Sequence, residues 1–183
     1  MLSTITSEIK TFLNSQKLGF VATVSSDGKP NISPKGTIIP WSEHLLAFAD
    51  IRSPDTMSNL KNNPFVEINV IDPLSRKGYL FTGTAEIIKD TPMYVDILNH
   101  YRTNGIQSPI NSIVIVSISS ISTVTSPLYD LGKSEEEIRL KWKKYFNDPT
   151  TILAASITPV FVFSLVFFPL ISFFSFGVKI FVS

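Results

Sequence analysis

The hydrophobic positions change period several times between the start of the chain and residue 148. Stretches with apolar residues at every second position predict strands, and apolar residues three or four apart predict helices. We predict strands over residues 18–26, 30–39, 44–50, 65–71, 79–88 and 112–124. We predict helices over residues 4–14, 54–62, 92–101 and 135–146. Strands joined by turns, with helices at the periphery, are typical of an antiparallel barrel or sandwich of the α+β class.

Turn and capping residues mark the ends of these elements. Gly28 follows an Asp between two strand patterns, which predicts a hairpin. Pro34 indicates an edge, a bulge or a break, and Gly83 is a candidate bulge. Ser53 precedes a Pro and predicts a helix N-cap, whereas Ser134 and the Glu three residues later have the spacing of a capping box.

Charge and composition exclude several classes of site. All 15 acidic residues and all but one of the 16 basic residues precede Pro149, so this part of the chain is formally neutral and does not predict nucleic-acid binding. The chain has no cysteine, which excludes disulfides and thiolate catalysis and fits a cytoplasmic location. Its two histidines, His44 and His100, are far apart in sequence, and we predict no metal site.

The order of segments LGFVATVSSDGKPNISPKG, LLAFAD, TMSNLKNNP, FVEINVIDP and RKGYLFTGTAEI resembles the pyridoxamine 5′-phosphate oxidase-like family of FMN-binding split-barrel proteins. The later VTSPLYDLG, followed by a Trp-containing helix, is similar to one branch of that family. The resemblance covers nearly all of residues 1–146. It implies an antiparallel split β-barrel of Greek-key type with peripheral helices over residues 1–148, FMN as cofactor, and a homodimer with FMN at its interface.

The same resemblance implies which side chains hold the cofactor. The residues of this chain at positions that hold the cofactor in that family are Ser33, Lys35, Arg52, Ser53, Thr56, Asn59, Arg76 and Lys77, as the resemblance implies. A physical basis exists for residues 52–56, because a helix N-terminus offers free N–H groups and the positive end of its dipole to a phosphate. An arginine beside it can grip phosphate oxygens with two parallel hydrogen bonds. Lys35 is the candidate for stabilising negative charge on the reduced flavin.

Each of these residues also has an interpretation without a cofactor. Arg52 is equally a solvated surface residue, and Ser53 is equally a plain N-cap. Lys35 beside a proline is typical of an edge strand protected against aggregation. Arg76 and Lys77 are equally an ordinary pair of loop charges. The sequence leaves these alternatives open.

The resemblance implies an oxidoreductase that moves electrons between a reduced nicotinamide and a small acceptor, without naming a catalytic side chain. The chain lacks the Arg-x-His pair by which pyridoxamine phosphate oxidases grip their substrate near the C-terminus, so vitamin B6 oxidation is not expected. The alternatives are a flavin- or haem-binding module without turnover and a deazaflavin-dependent reductase. One fold supports all of these activities.

Residues 149–183 differ from the rest of the chain. Residues 149–178 carry no charged side chain, and the apolar run exceeds the length of about 20 residues that crosses a bilayer. Basic residues over 139–144 precede it. Three interpretations stay open: a membrane anchor contacting lipid through residues 150–178, a reading-frame artefact, and an apolar arm that packs against a protein.

Overall fold

A computed structural model describes residues 3–148. In chain order the elements are α1 (Ser7–Ser15), β1 (Gly19–Val24), β2 (Pro30–Lys35), β3 (Ile39–Pro40), β4 (Leu45–Asp50), α2 (Pro54–Asn62), β5 (Phe65–Asp72), β6 (Lys77–Ile88), α3 (Pro92–Thr103), β7 (Ser112–Thr125) and α4 (Glu135–Asn147). The seven strands form one antiparallel sheet in the order β2-β1-β5-β6-β7-β4-β3, curled into a half-barrel. The predicted α+β split barrel is confirmed.

The strand predicted over 30–39 is present only over Pro30–Lys35, because the chain leaves the sheet after Lys35 and re-enters it at Ile39 on the opposite edge. Thr37 lies between the two strands, and its polar groups form hydrogen bonds with residues of other elements. Its carbonyl accepts a hydrogen bond from the Tyr101 hydroxyl at 2.8 Å, and its hydroxyl accepts one from Ala49 N at 3.0 Å. The segment therefore crosses the open side of the half-barrel.

Strand β4 is buried on both faces. Leu46 and Phe48 belong to the core inside the half-barrel, which α1 and α2 also cover. Ala47 and Ala49 belong to a second core beneath α3. A strand covered on both sides needs no polar face, which explains the unbroken apolar run that ends at Asp50.

Two local predictions are confirmed. The pairing of β6 with β7 shifts register between Thr82 and Gly83, and a Cβ at Gly83 would lie 2.3 Å from the Ser117 carbonyl oxygen, so this bulge requires glycine. At the start of α4, the Ser134 hydroxyl accepts a hydrogen bond from Glu137 N at 3.2 Å, and Ser134 N donates to the Glu137 carboxylate at 2.8 Å. This is the predicted capping box.

The chain divides into a compact unit of residues 1–142 and a second unit of residues 143–183. None of the helices described between residues 3 and 148 is both long and apolar enough to span a membrane. Residues 149–183 lie outside the described residues, and so do the anchor, reading-frame and apolar-arm interpretations made for them.

Candidate cofactor site

Polar side chains collect between helix α2 and the inner face of the half-barrel. On β2, alternate residues are exposed, and the residues between them turn toward β1 and α2. Residues contributed by β1, β2, β4 and the first turns of α2 make up what we call the α2 polar cluster. Its members are Thr23, Asn31, Ser33, Lys35, Asp50, Ser53, Thr56 and Asn59.

Three amide and hydroxyl contacts tie α2 to the sheet. The Asn31 side-chain amide donates to the hydroxyls of Thr23 at 3.3 Å and Thr56 at 3.2 Å. The Asn59 amide donates to the same Thr23 hydroxyl at 3.0 Å. Thr56 and Asn59 are buried, so these bonds satisfy groups that would otherwise be desolvated. The two predicted cofactor residues on α2 thus have internal partners.

Lys35 places an ammonium group inside this cluster. Its side chain is only 7% exposed, and its Nζ donates to the Ser33 hydroxyl at 2.6 Å. The ammonium lies 6.0 Å from the centre of the Phe48 ring. Burial lowers the pKa of Lys35 below its usual value, and the negative charge of Asp50 opposes that shift. A buried ammonium with a single hydroxyl partner is a strong donor toward an anion.

Ser53 stands at the N-cap position of α2 but does not cap it, so that prediction is wrong. Its hydroxyl instead donates to the Asp50 carboxylate at 3.1 Å. The first backbone bond into the helix runs from Met57 N to Ser53 O, and within residues 3–148 the N–H groups of Asp55 and Thr56 have no acceptor. The helix N-terminus therefore keeps its donors available.

Arg52 is exposed beside the cluster, directly before the buried Ser53. The structure thus brings together five of the predicted cofactor residues within the α2 polar cluster and places Arg52 at its rim. It also adds Asp50, which the sequence interpretation missed. The available signal was an acidic residue closing an otherwise apolar strand, at the point where helix α2 approaches.

Arg76 and Lys77 lie outside the α2 polar cluster of their own chain. They sit at the turn between β5 and β6, and two strands separate β6 from β2, which corresponds to about 14 Å across a sheet. The Lys77 ammonium pairs with Glu135 at 2.9 Å and lies 4.5 Å from the centre of the Tyr129 ring. The Arg76 guanidinium stacks on Trp142. Within one chain, both residues contact α4, and Lys77 also contacts the segment that leads into it.

Arg139 of α4 forms two further ion pairs, one to Asp72 of β5 and one within the helix. Arg139 contacts the carboxylate of Asp72 at 2.6 Å and that of Glu135 at 2.8 Å. Burial alone would raise the pKa of Asp72, but hydrogen bonds from Leu74 and Ser75 and the charge of Arg139 outweigh it and hold that pKa below its usual range. This network is a structural attachment of α4 to the turn between β5 and β6.

Comparison with known protein families gives a match over residues 5–116 to the model described as pyridoxamine 5′-phosphate oxidase. The chain belongs to the pyridoxamine 5′-phosphate oxidase family. A comparison with curated protein sequences found no match. The family assignment agrees with the antiparallel half-barrel.

Several solved structures share the fold. HupZ from Group A Streptococcus is 30% identical, with a TM-score of 0.62 over 67% of this chain and 95% of HupZ. An FMN-binding protein from Syntrophomonas wolfei is 14% identical, with a TM-score of 0.58 over 64% of this chain and 84% of its own. An F420 reductase is 26% identical, with a TM-score of 0.50 over 62% of this chain and 94% of its own.

Proposed function

We propose that this member of the pyridoxamine 5′-phosphate oxidase family is an FMN-binding oxidoreductase that passes electrons between a reduced nicotinamide and a small acceptor. One observation carries the proposal. Five predicted cofactor residues, Ser33, Lys35, Ser53, Thr56 and Asn59, belong to the α2 polar cluster, in which the Lys35 side chain is buried and its ammonium donates to the Ser33 hydroxyl. A structural lysine gains little from such burial, because desolvation of an ammonium is costly without a counter-charge in contact.

The donors present suit FMN. Lys35 and the Ser33 hydroxyl would face the anionic or carbonyl groups of the cofactor, and Ser53 with the uncapped start of α2 would hold its phosphate. Arg52 at the rim would add a two-pronged contact to phosphate oxygens. When bound, FMN would supply the electron-transfer chemistry. The buried Lys35 would stabilise negative charge in a place from which water is largely excluded.

We propose that the protein acts as a homodimer. Phe20, Val24 and Ile32 are exposed on the outer faces of β1 and β2, and Ile32 is 67% exposed. Contiguous apolar surface of this kind marks a site of protein association. A second copy would also offer an Arg76 and a Lys77 to the cluster from which these residues are distant within one chain. Size-exclusion chromatography with light scattering, and loss of the dimer in Ile32→Asp, would test this step.

The F420 reductase neighbour favours one further candidate, a deazaflavin-dependent reductase that uses the same cluster. The two cofactors share a phosphate and a planar ring system, so donors alone do not separate them. Parallel titrations with FMN and with F420 would decide between them. If F420 binds more tightly than FMN and reduced F420 reduces an acceptor, the deazaflavin-dependent reductase is the correct function and the FMN proposal is wrong.

The main experiment is the visible absorbance spectrum of the purified full-length chain, followed by FMN titration. We expect bound flavin, reduced by a nicotinamide. Arg52→Ala is expected to weaken FMN more than riboflavin, since riboflavin lacks the phosphate, and Lys61→Ala at the other end of α2 is a matched control. Absence of flavin together with no binding on titration would refute the function. If the protein binds FMN but no nicotinamide reduces it, the remaining function is a flavin carrier or sensor without turnover.

We further propose that the flavin-binding part spans residues 1–148 and works in the cytoplasm, held at a membrane by the apolar residues that follow. Cell fractionation of the full-length chain tests the tether. Recovery in the membrane fraction after an alkaline wash supports it, and recovery of the intact chain only in the soluble fraction contradicts it.

A further inference from the structure

A cavity of about 310 Å³ opens where the C-terminal ends of α1 and α3 meet the crossing segment, residues 36–38, between β2 and β3. Among the described residues, those that line it are all outside the α2 polar cluster. Cavities that hold small molecules measure about 300–1,000 Å³, so this one is at the small end of the range. A ligand held here would therefore be a single ring, or the ring end of a longer molecule.

The buried part of the lining is apolar. Ile38, Ile39 and Ile106 contribute to it together with Tyr101. The Tyr101 hydroxyl already donates to Thr37 O at 2.8 Å, so this residue offers apolar surface and no free donor. Such a floor removes the surface of a planar ring from water, which favours binding by about 25 cal/mol for each Å² of apolar area buried.

The rim of the cavity carries three side-chain amides, those of Asn14, Gln16 and Asn104. Gln16 Nε2 donates to Ser15 Oγ at 3.2 Å, and Asn104 Nδ2 donates to His100 O at 2.8 Å. Both bonds use the amide nitrogen and leave the amide oxygen available as an acceptor. A primary carboxamide carries two N–H donors and one acceptor, so it complements this rim.

The charges around the cavity do not favour an anion. Its two cationic side chains are Lys17, directly after the C-cap of α1, and His100, in the last turn of α3. A helix C-terminus carries about half a negative charge, which cations in these positions offset. Within residues 3–148, no Asp, Glu or Arg lines the cavity, so it lacks the two-pronged donor that grips a phosphate. An uncharged ring suits it better than a phosphate.

The cavity adjoins the proposed cofactor site. Lys35 immediately precedes the crossing segment. A smaller cleft is lined by Lys35 and by four residues that also line the cavity, namely Leu13, Gln16, Lys17 and Ile38. Lys35 therefore shares its immediate neighbours with the cavity, and a ring bound there would lie close to a cofactor held by Lys35.

We propose that this cavity binds the nicotinamide ring of the electron donor, with the ring on the apolar floor and the carboxamide at the amide rim. The inference rests on the proposed function for the identity of the donor, and it adds the place where that donor binds. The sugar and phosphate groups of the donor would lie outside the cavity, which has room for the ring alone.

The first experiment is saturation-transfer NMR on the full-length chain without added flavin, with nicotinamide and nicotinic acid as ligands. The two molecules have nearly the same shape and differ in carrying a carboxamide or a carboxylate. We expect nicotinamide to bind at least about threefold tighter, as for one well-made hydrogen bond. Nicotinic acid that binds as tightly as nicotinamide would overturn the inference.

Two variants locate the binding site. Ile106→Phe fills the cavity, and Gln16→Met keeps the length of the side chain but removes the amide. Each should weaken nicotinamide binding at least about threefold. Val95→Phe and Gln107→Met are matched controls, because both residues are exposed and neither lines the cavity, and they should bind as wild type does. Unchanged binding in Gln16→Met and Ile106→Phe would contradict the assignment, and Gln16→Met alone decides if Ile106→Phe does not fold.

The second readout is the reduction of bound FMN by a reduced nicotinamide dinucleotide. Gln16→Met should raise the KM for the donor at least about threefold and leave kcat within about twofold, with unchanged affinity for FMN. If the wild type binds no flavin, the proposed function fails, and the NMR titrations still confirm or refute the cavity. If the donor reduces FMN with the same KM in wild type, Gln16→Met and Ile106→Phe, the proposed function stands and this inference is wrong.

Discussion

The guanidinium carbon of Arg76 lies 3.5 Å from the centre of the Trp142 ring, and Arg76 holds this position with a left-handed backbone, at φ 58°. The stacking contact stabilises the fold by about 0.5–2 kcal/mol, and the backbone costs about 1–2 kcal/mol at a residue other than glycine. The two contributions are of similar size and opposite sign, and substitution can separate them.

We predict that Arg76→Ala is less stable than Arg76→Gly. Alanine loses the stack and keeps the backbone cost, whereas glycine loses the stack and removes most of that cost. The expected difference is about 1 kcal/mol in the free energy of unfolding measured with urea. Arg76→Lys is the control, since it keeps a charge and loses the planar stack. Equal stability of the alanine and glycine variants would show that the backbone at this position relaxes.

A second prediction concerns the hydroxyl of Tyr101. This buried side chain donates to Thr37 O at 2.8 Å, where the chain crosses between β2 and β3. Tyr101→Phe leaves that carbonyl without its partner and is expected to lower the free energy of unfolding by about 1–2 kcal/mol. Tyr94→Phe is a suitable control, because its bond to Ile110 O is long, at 3.5 Å. If Tyr101→Phe lowers the free energy of unfolding no more than Tyr94→Phe does, the Tyr101–Thr37 hydrogen bond does not stabilise the fold.

A third prediction tests the bulge in β6. Gly83→Ala places a Cβ 2.3 Å from Ser117 O, and backbone atoms leave it no room to move aside. We expect a loss of about 1–3 kcal/mol in thermal or chemical unfolding, as for overpacked sites. Gly36→Ala is the matched control, since its nearest contact, Lys17 O at 3.4 Å, is ordinary. Similar stabilities for the two variants would mean that the strands shift register to accommodate the methyl group.

A fourth prediction concerns acid stability. The pKa of Asp72 is lower in the folded chain than its usual value of 3.8, so this carboxylate stabilises the fold above pH 3.8 and the stabilisation is lost as pH falls through the lower folded value. Arg139→Met removes one cause of the shift and should move the acid transition to higher pH, as followed by near-ultraviolet circular dichroism. Asp27→Asn, which removes an exposed pair with Lys29, should leave it unchanged. An unmoved transition in Arg139→Met would contradict this account.

Local pattern was enough to predict most elements of this fold. The bulge at Gly83 and the capping box at Ser134 follow from residues close in sequence, and the structure has both. Pro34 predicted an edge, a bulge or a break in this region, and β2 is indeed an edge strand that ends at Lys35. The re-entry of the chain at the opposite edge was not predictable, because the hydrogen bond of Thr37 to Tyr101 joins residues remote in sequence. Tertiary contact overrides propensity at this position.

In the candidate site, too, some residues were predictable from the sequence and some contacts were not. Sequence and resemblance together pointed to Lys35 and Ser53, which the fold brings into one cluster. They did not predict that Asp50 would divert Ser53 from capping, since both residues obey local rules when considered separately. Nor did they predict that Arg76 would stack on Trp142, because that contact joins segments far apart along the chain.

The order of strands in the sheet also constrains how the protein is made. Residues 45–50 pair on one side with the short strand β3 and on the other with residues 112–117, so the longer of these two pairings cannot form until most of the domain has been synthesised. Closing so long a loop is entropically unfavourable, and topologies dominated by distant pairs fold slowly. During translation, the apolar segment LLAFAD therefore has only the two residues of β3 to pair with until β7 is made. This interval is when a nascent chain is most exposed to aggregation and most dependent on chaperones.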